Sequence, residues 1–280
     1  MIFLNDRLVA PEAARIDPAD RGLLLGDGLF ETLLSRRGRV ERLAAHLARL
    51  RAGAAVLGIP VPELDLEQAA ADLLAANGLA DCDAALRITL TRGPGPRGLL
   101  PPAEARPMLM ITAVAQPTGD ERPLAAVIAT MRRNELSPLS RLKTLNYLDN
   151  VLAKREAVAR GGDEAVLLNT AGRLASASAA NLFLVRGRGL FTPPPSEGLL
   201  PGVTRAAIIA VAPTLGLALV EAPLEPAQLR DADEAFLSNS LLGVRALASL
   251  DGQSIGDALG DGGPGPTARR LARALMQDAS

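Results

Sequence analysis

The chain has 280 residues, 48% apolar and 22% charged, with a formal net charge of −1. That balance belongs to a soluble globular protein with room for one large domain or two ordinary ones, and it points to no nucleic-acid or membrane partner. A single Cys and a single His exclude an internal disulfide and argue against structural zinc.

The elements read as follows in chain order. IFLN and RLV are short strands, followed by the turn-rich stretch DPADRGLLLGDG. LFETLL is a strand ending in a hairpin-like turn at RRGR. RVERLAAHLARLRAGAAVLGIP carries apolar residues at helical spacing and stops at Gly58 and Pro60. LDLEQAAADLLAANGLA is a second helix, closed by Asn77-Gly78. AALRITLTRG and RPMLMITAVA are strands separated by a Pro/Gly-rich loop. QPTGDERP is the linker candidate. After it come the strand LAAVIATM and the helix NYLDNVLAKREAVARGG, then three short strands over DEAVLLNTAGRLASASAANLFLVRGRGLFTPP. LLPGVTRAAIIAVAPTLG is a turn running into a helix. A short helix, further strands and the terminal helix PTARRLARALMQ close the chain. The sum is an α+β protein of two domains, residues 1–117 and 124–280, joined by a linker at 118–123.

The first residues do not resemble a signal peptide, and no run approaches eighteen apolar residues, so a cytoplasmic protein is expected. GPGPRG fits the pattern G-x-G-x-x-G, but two prolines and the following LLPPAEARP cannot open the helix a dinucleotide site needs.

Of thirty basic residues only two are lysines, Lys143 and Lys154, and the only tyrosine, Tyr147, lies between them. Arg cannot act as an amine; Lys can lose its proton and form a Schiff base. The alternative for each Lys is an ordinary surface charge. Lys154, flanked by Arg155, Glu156 and Arg160, reads as that. Lys143 precedes an apolar helix pattern, with Tyr147 at i+4, on one face if the helix has begun there. Gly202, Val203 and Thr204 lie at a turn opening a helix, which is either a plain cap or an anion site. An amine for an aldehyde, a phenol for its ring oxygen and a helix N-terminus for a phosphate together point to pyridoxal phosphate.

These segments resemble the fold-type IV pyridoxal-phosphate enzymes, the class IV aminotransferase family. The resemblance runs from DRGLLLGDGLFET through ERLAAHLARLRAGA, LTRGPGPRG, LKTLNYLDNVLAKREA, DEAVLLNTAGRLASASAANLFLV and LLPGVTR to DEAFLSNSLLGVRAL. It implies a smaller N-terminal α/β domain, a larger C-terminal cofactor-binding domain with a barrel-like sheet, and a homodimer. It makes Lys143 the Schiff-base lysine and proton carrier and places Tyr147 at the cofactor's ring oxygen. It gives Arg49, Val203, Thr204 and Ser240 to the phosphate. His46 reads as a partly buried helical residue without a catalytic part. Where the family has a Glu against the pyridine nitrogen, this chain has Ser176, so the usual carboxylate is missing.

GDGLFET, KTLNYLDNVLAKREA and SNSLLGVRAL are most similar to aminodeoxychorismate lyases. Those enzymes convert 4-amino-4-deoxychorismate to 4-aminobenzoate and pyruvate in folate biosynthesis. Against the D-amino acid aminotransferases, their Arg-x-His pair appears here as Arg97-Gly98-Leu99, without the His. Arg97 is either a contact for a substrate carboxylate or a solvated loop Arg. The alternatives are an aminotransferase acting on D-amino or branched-chain amino acids, and a cofactor-binding protein with weakened catalysis.

Overall fold

A computed structural model describes residues 1–117, 121–256 and 263–278; residues 118–120 of the expected linker lie outside the described residues. Two compact units emerge, and Leu142–Asn146 group with the first, Met1–Gly119, rather than with the second.

Unit 1 contains β1 (Ile2–Leu4), β2 (Arg7–Val9), α1 (Arg21–Leu25), β3 (Gly28–Arg36), β4 (Arg39–Val40), α2 (Leu43–Leu57), α3 (Leu66–Ala76), β5 (Ala84–Thr91) and β6 (Met108–Ala115). The strands form one antiparallel sheet in the order β2-β1-β6-β5-β3-β4. Period-two alternation puts Leu29 and Leu33 of β3 and Leu86, Ile88 and Leu90 of β5 into a core shared with Leu50 and Ala54 of α2 and Leu73 and Leu74 of α3. The Asp65 side chain caps α3 by accepting from the Gln68 N–H at 3.0 Å.

Unit 2 contains β7 (Leu124–Arg133), α4 (Leu148–Ala159), β8 (Glu164–Asn169), β9 (Leu174–Ala177), β10 (Asn181–Arg186), β11 (Gly189–Thr192), α5 (Val203–Val211), β12 (Ala218–Glu221), α6 (Pro226–Arg230), β13 (Glu234–Asn239), β14 (Gly243–Leu250), β15 (Gln253–Ser254) and α7 (Pro266–Asp278). Its mixed sheet runs β12-β11-β10-β13-β14-β7-β8-β9, with β15 on β14. β7 and β8 are parallel, and α4 is their crossover helix. All six residues of β8 are buried, which explains its unbroken EAVLLN. Phe183 and Phe236 stack at 5.1 Å between centroids in the core beside α5 and α7.

One expectation is corrected. α4 begins at Leu148 with Tyr147 as its N-cap, so Lys143 and Tyr147 do not share a helical face. The segment before α4 is instead drawn to the end of β3. The Phe30 N–H donates to the Lys143 carbonyl at 2.9 Å, and the Leu145 N–H to the Gly28 carbonyl at 3.0 Å. Gly28 permits this approach, since a Cβ there would lie 2.8 Å from Leu145 Cδ1.

Candidate active site

Unit 1 carries a cluster of charges around Lys143. Glu31 stands on the core face of β3, between Leu29 and Leu33, and is fully buried. It survives there because α2 brings two donors to it. Arg49 makes a two-point contact, Nε to Oε1 at 2.8 Å and Nη2 to Oε2 at 2.6 Å; His46 Nδ1 lies 2.7 Å from Oε2. Burial pushes the Glu31 carboxyl up, but the hydrogen bonds from Arg49 and His46 outweigh it and hold the group below its ordinary value. His46 is thus a buried structural partner, and Arg49 is oriented by a carboxylate absent from the sequence-based expectations. The signal was present: a Glu at a core-facing position of an apolar strand requires a cation.

Lys143 is partly buried, and desolvation of its ammonium brings its pKa down to about 8. The Arg49 charge pushes the same way, Glu31 pushes back, and Arg87 adds a smaller downward push. The amine lies 4.3 Å from the centroid of the Phe30 ring, and the Arg87 guanidinium 3.8 Å from it. Arg87, on β5, is a further basic residue that nothing in the sequence separates from the other arginines.

Arg97 is exposed on the loop after β5. The three residues behind it are held by buried Arg21. Nη1 donates to the Gly98 carbonyl at 3.0 Å and the Leu100 carbonyl at 3.4 Å, and Nη2 to the Leu99 carbonyl at 2.8 Å. Asp27 joins Arg21 (2.9 Å) to Arg92 (2.7 Å) beneath this loop.

Unit 2 carries hydroxyls and backbone donors instead. α5 starts at Val203, with Gly202 as N-cap and no side chain capping its first turn. Val203 and Thr204 are buried. Gly202 is needed because a Cβ there would fall 2.1 Å from Asn181 Oδ1. Asn181 Nδ2 donates to the Leu200 carbonyl at 2.9 Å, fixing the entry to α5. Asn239 does the same for the turn carrying Ser240. Its Oδ1 accepts from the Leu241 and Leu242 N–H groups at 3.0 and 2.8 Å, and its Nδ2 donates to the Ala179 carbonyl at 3.1 Å. Two asparagines therefore tie the turns at 178–180, 200–202 and 239–242 into one frame.

Ser176 is buried in β9 opposite Leu167. The adjoining strand β8 begins with a carboxylate, Glu164, and it is committed elsewhere. It accepts from Ser178 Oγ and from the Ala165 N–H at 2.8 Å, and pairs with Lys154 Nζ at 3.1 Å. Lys154 also donates to the Asp163 carbonyl. It is half-exposed, yet it neutralises a buried acid and is more than a free surface charge. Arg133 links two loops of unit 2, with Nε donating to the Gly198 carbonyl at 2.8 Å and Nη2 to the Ser140 carbonyl at 2.9 Å.

The amine and the oriented guanidinium of unit 1 and, separately, the uncapped helix start of unit 2 are donor types that a phosphorylated aldehyde can use. The model of the family "Amino-transferase class IV" matches residues 28–250. The chain belongs to the class IV aminotransferase family. A putative branched-chain-amino-acid aminotransferase of Methanocaldococcus jannaschii is 34% identical over 259 residues, covering 91% of this chain and 89% of the relative. The crystal structure of 4-amino-4-deoxychorismate lyase from Pseudomonas aeruginosa is 33% identical, with a TM-score of 0.86 and 99% of each chain covered. The T.th. branched-chain amino acid aminotransferase, solved with pyridoxamine 5'-phosphate, is 27% identical with a TM-score of 0.89, covering 99% of this chain and 93% of that one. The architecture is fold-type IV, and the family is pyridoxal-phosphate dependent. The residues present fit that group, with Ser176 as the departure. Among the described residues no helix is long and apolar enough to cross a membrane.

Proposed function

We propose that the chain is a pyridoxal-phosphate-dependent lyase that converts 4-amino-4-deoxychorismate to 4-aminobenzoate and pyruvate. The observation that carries this reading over transamination is Ser176, buried in β9 where the family places its acid, with Glu164 held by Ser178 and Lys154. When bound, the cofactor supplies an electron sink for the carbon bearing the substrate nitrogen. Without the carboxylate that sink is weaker. A reaction whose product ring becomes aromatic tolerates that loss better than an amino transfer does.

The chain's residues then divide the work. Lys143 would hold the cofactor covalently through its amine and, when released, would act as the base for the proton on the substrate carbon bearing nitrogen. Its lowered pKa leaves a useful neutral fraction near neutral pH. By the family resemblance, Arg49, held in one orientation by Glu31, would be a phosphate contact in unit 1, and the Val203 and Thr204 N–H groups and Ser240 would be those of unit 2. Tyr147 would serve the ring oxygen of the bound cofactor, and Ser176 would stand where the family's acid meets the ring nitrogen. Arg97 contacts a substrate carboxylate. The working form is a cytoplasmic homodimer.

Aminotransferase chemistry is the second reading, favoured by the 34% identity to the archaeal relative. Purified protein is incubated with aminodeoxychorismate and, separately, with D-alanine or L-leucine plus 2-oxoglutarate. The lyase reading expects 4-aminobenzoate fluorescence in the first mixture and no keto acid formed from D-alanine or L-leucine in the others. Keto acid alone replaces it with the aminotransferase, and silence in all mixtures overturns both. Lys143→Ala is expected to abolish the visible absorbance of bound cofactor; a persisting band removes Lys143 from its role.

A further inference from the structure

Phe30 holds Lys143 twice. Its backbone N–H donates to the Lys143 carbonyl at 2.9 Å, and its ring lies 4.3 Å from the Lys143 amine. The root and the tip of the lysine are therefore placed by one residue. The same ring carries the Arg87 guanidinium at 3.8 Å. Aromatic residues make up only 2% of this chain, so a buried ring at this position is not part of a general aromatic core. The residue opposite Phe30 on β5 is Thr89.

An aromatic face attracts a cation and is indifferent to a neutral amine. The ring thus acts on one protonation state of Lys143 only. Within unit 1 the charged groups that bear on the amine are Arg49 from α2, Arg87 from β5 and Glu31 from β3, with His46 attached to Glu31. Both arginines favour the neutral amine, as burial does; Glu31 and the ring favour the ammonium.

We propose that Phe30 is a positioning residue whose ring seats the free Lys143 ammonium and sets how readily it gives up its proton. The seat keeps the lysine located when it is not covalently engaged. It also stops burial and two arginines from lowering its basicity so far that it becomes a poor proton acceptor. The catalytic meaning rests on the role proposed for Lys143, but the test needs no cofactor.

With two lysines in the chain, apoprotein labelled with 15N-lysine gives two side-chain amine signals, one reporting Lys143 and one serving as internal control. Lys143 is expected to titrate near 8 in the wild type. Phe30→Leu removes the ring and keeps apolar bulk, and is expected to lower that pKa by about one unit while Lys154 stays put. Phe30→Tyr keeps the ring and is expected to titrate with the wild type. Arg87→Met is expected to move Lys143 the opposite way. Where Phe30→Leu gives no cooperative melt, Phe30→Met reports the same quantity. A ringless variant titrating with the wild type overturns the proposal, as does a Tyr variant shifted as far as the Leu variant. Failure of wild-type protein to bind pyridoxal phosphate instead overturns the proposed function and leaves this titration standing.

Discussion

The two units hold their functional residues by opposite means. In unit 1 the work is electrostatic. Glu31, Arg49, His46 and Lys143 are crowded and largely withdrawn from water, and each is held or tuned by the charge of another, while the exposed Arg87 reaches in from β5 over the Phe30 ring. In unit 2 the candidate cofactor contacts are neutral. They are a helix start, buried hydroxyls and turns tied by Asn181 and Asn239. Its charges, such as Glu164 with Lys154, serve structure instead. A covalent amine needs a tuned proton affinity, which only nearby charge and burial can supply. A phosphate needs N–H groups at fixed places, which backbone geometry supplies without charge. The difference implies that unit 1 is sensitive to charge changes and unit 2 to changes of shape.

The strongest way to break that contrast is Glu31→Gln. The amide keeps the shape but leaves the Arg49 charge uncompensated in a buried setting. A loss of about 3 kcal/mol of stability is expected, together with weaker cofactor binding. Denaturant melts and cofactor titration read the two effects. In the wild type, Glu31 has a lowered folded pKa, so its contribution is present above the ordinary carboxyl value of 4.5 and is lost as pH falls through the folded pKa. The Gln variant is therefore expected to converge with the wild type in acid. Equal stability at neutral pH would show that the cluster in unit 1 is not held by charge.

Next in size is Lys143→Met in the apoprotein. The folded state holds this amine near pH 8 against an ordinary value of 10.5, so below pH 8 it keeps a proton that burial disfavours. Stability then rises with pH between those two values, because the unfolded chain binds more protons there. Met removes the cost, and a gain of about 2 kcal/mol at pH 7, vanishing above about pH 10.5, is expected from melts across pH. A destabilised variant at pH 7 would mean that the amine is better satisfied than its burial implies.

How far the sequence could be read follows the same division. The helices α2, α3 and α5 were legible from apolar period and from Gly stops, because those signals are local. The rarity of Lys singled out Lys143 as a candidate, since an amine can do chemistry that Arg cannot. What was not legible depended on long-range contact. The pairing of Lys143 with Phe30 crosses more than a hundred residues, and it turned an expected helical i,i+4 pair into an extended segment followed by a helix cap. Arg49 and Arg87 look like any other arginine until a carboxylate and a ring select them. Asn181 and Asn239 sit in ordinary strand-to-turn sequence, and their role as tethers appears only when three turns are side by side.

The smallest expected effect on stability, and the sharpest test of the contrast, is Ser176→Glu. It places a charge among the neutral candidate cofactor contacts of unit 2. Ser176 is buried opposite Leu167, so burial is expected to push the pKa of a new carboxyl up in the apoprotein. The apoprotein is expected to lose about 1 kcal/mol at neutral pH and to recover it in acid, where the carboxyl is neutral. If residue 176 faces the ring nitrogen as proposed, a carboxylate there would pair with a protonated ring, and the absorbance of the bound cofactor or its pH dependence is expected to shift. Amino transfer, where it is measurable at all, should rise relative to lyase turnover, because it depends more on the electron sink. An unchanged spectrum with unchanged rates would place Ser176 away from the ring and remove the argument that the missing acid selects the reaction.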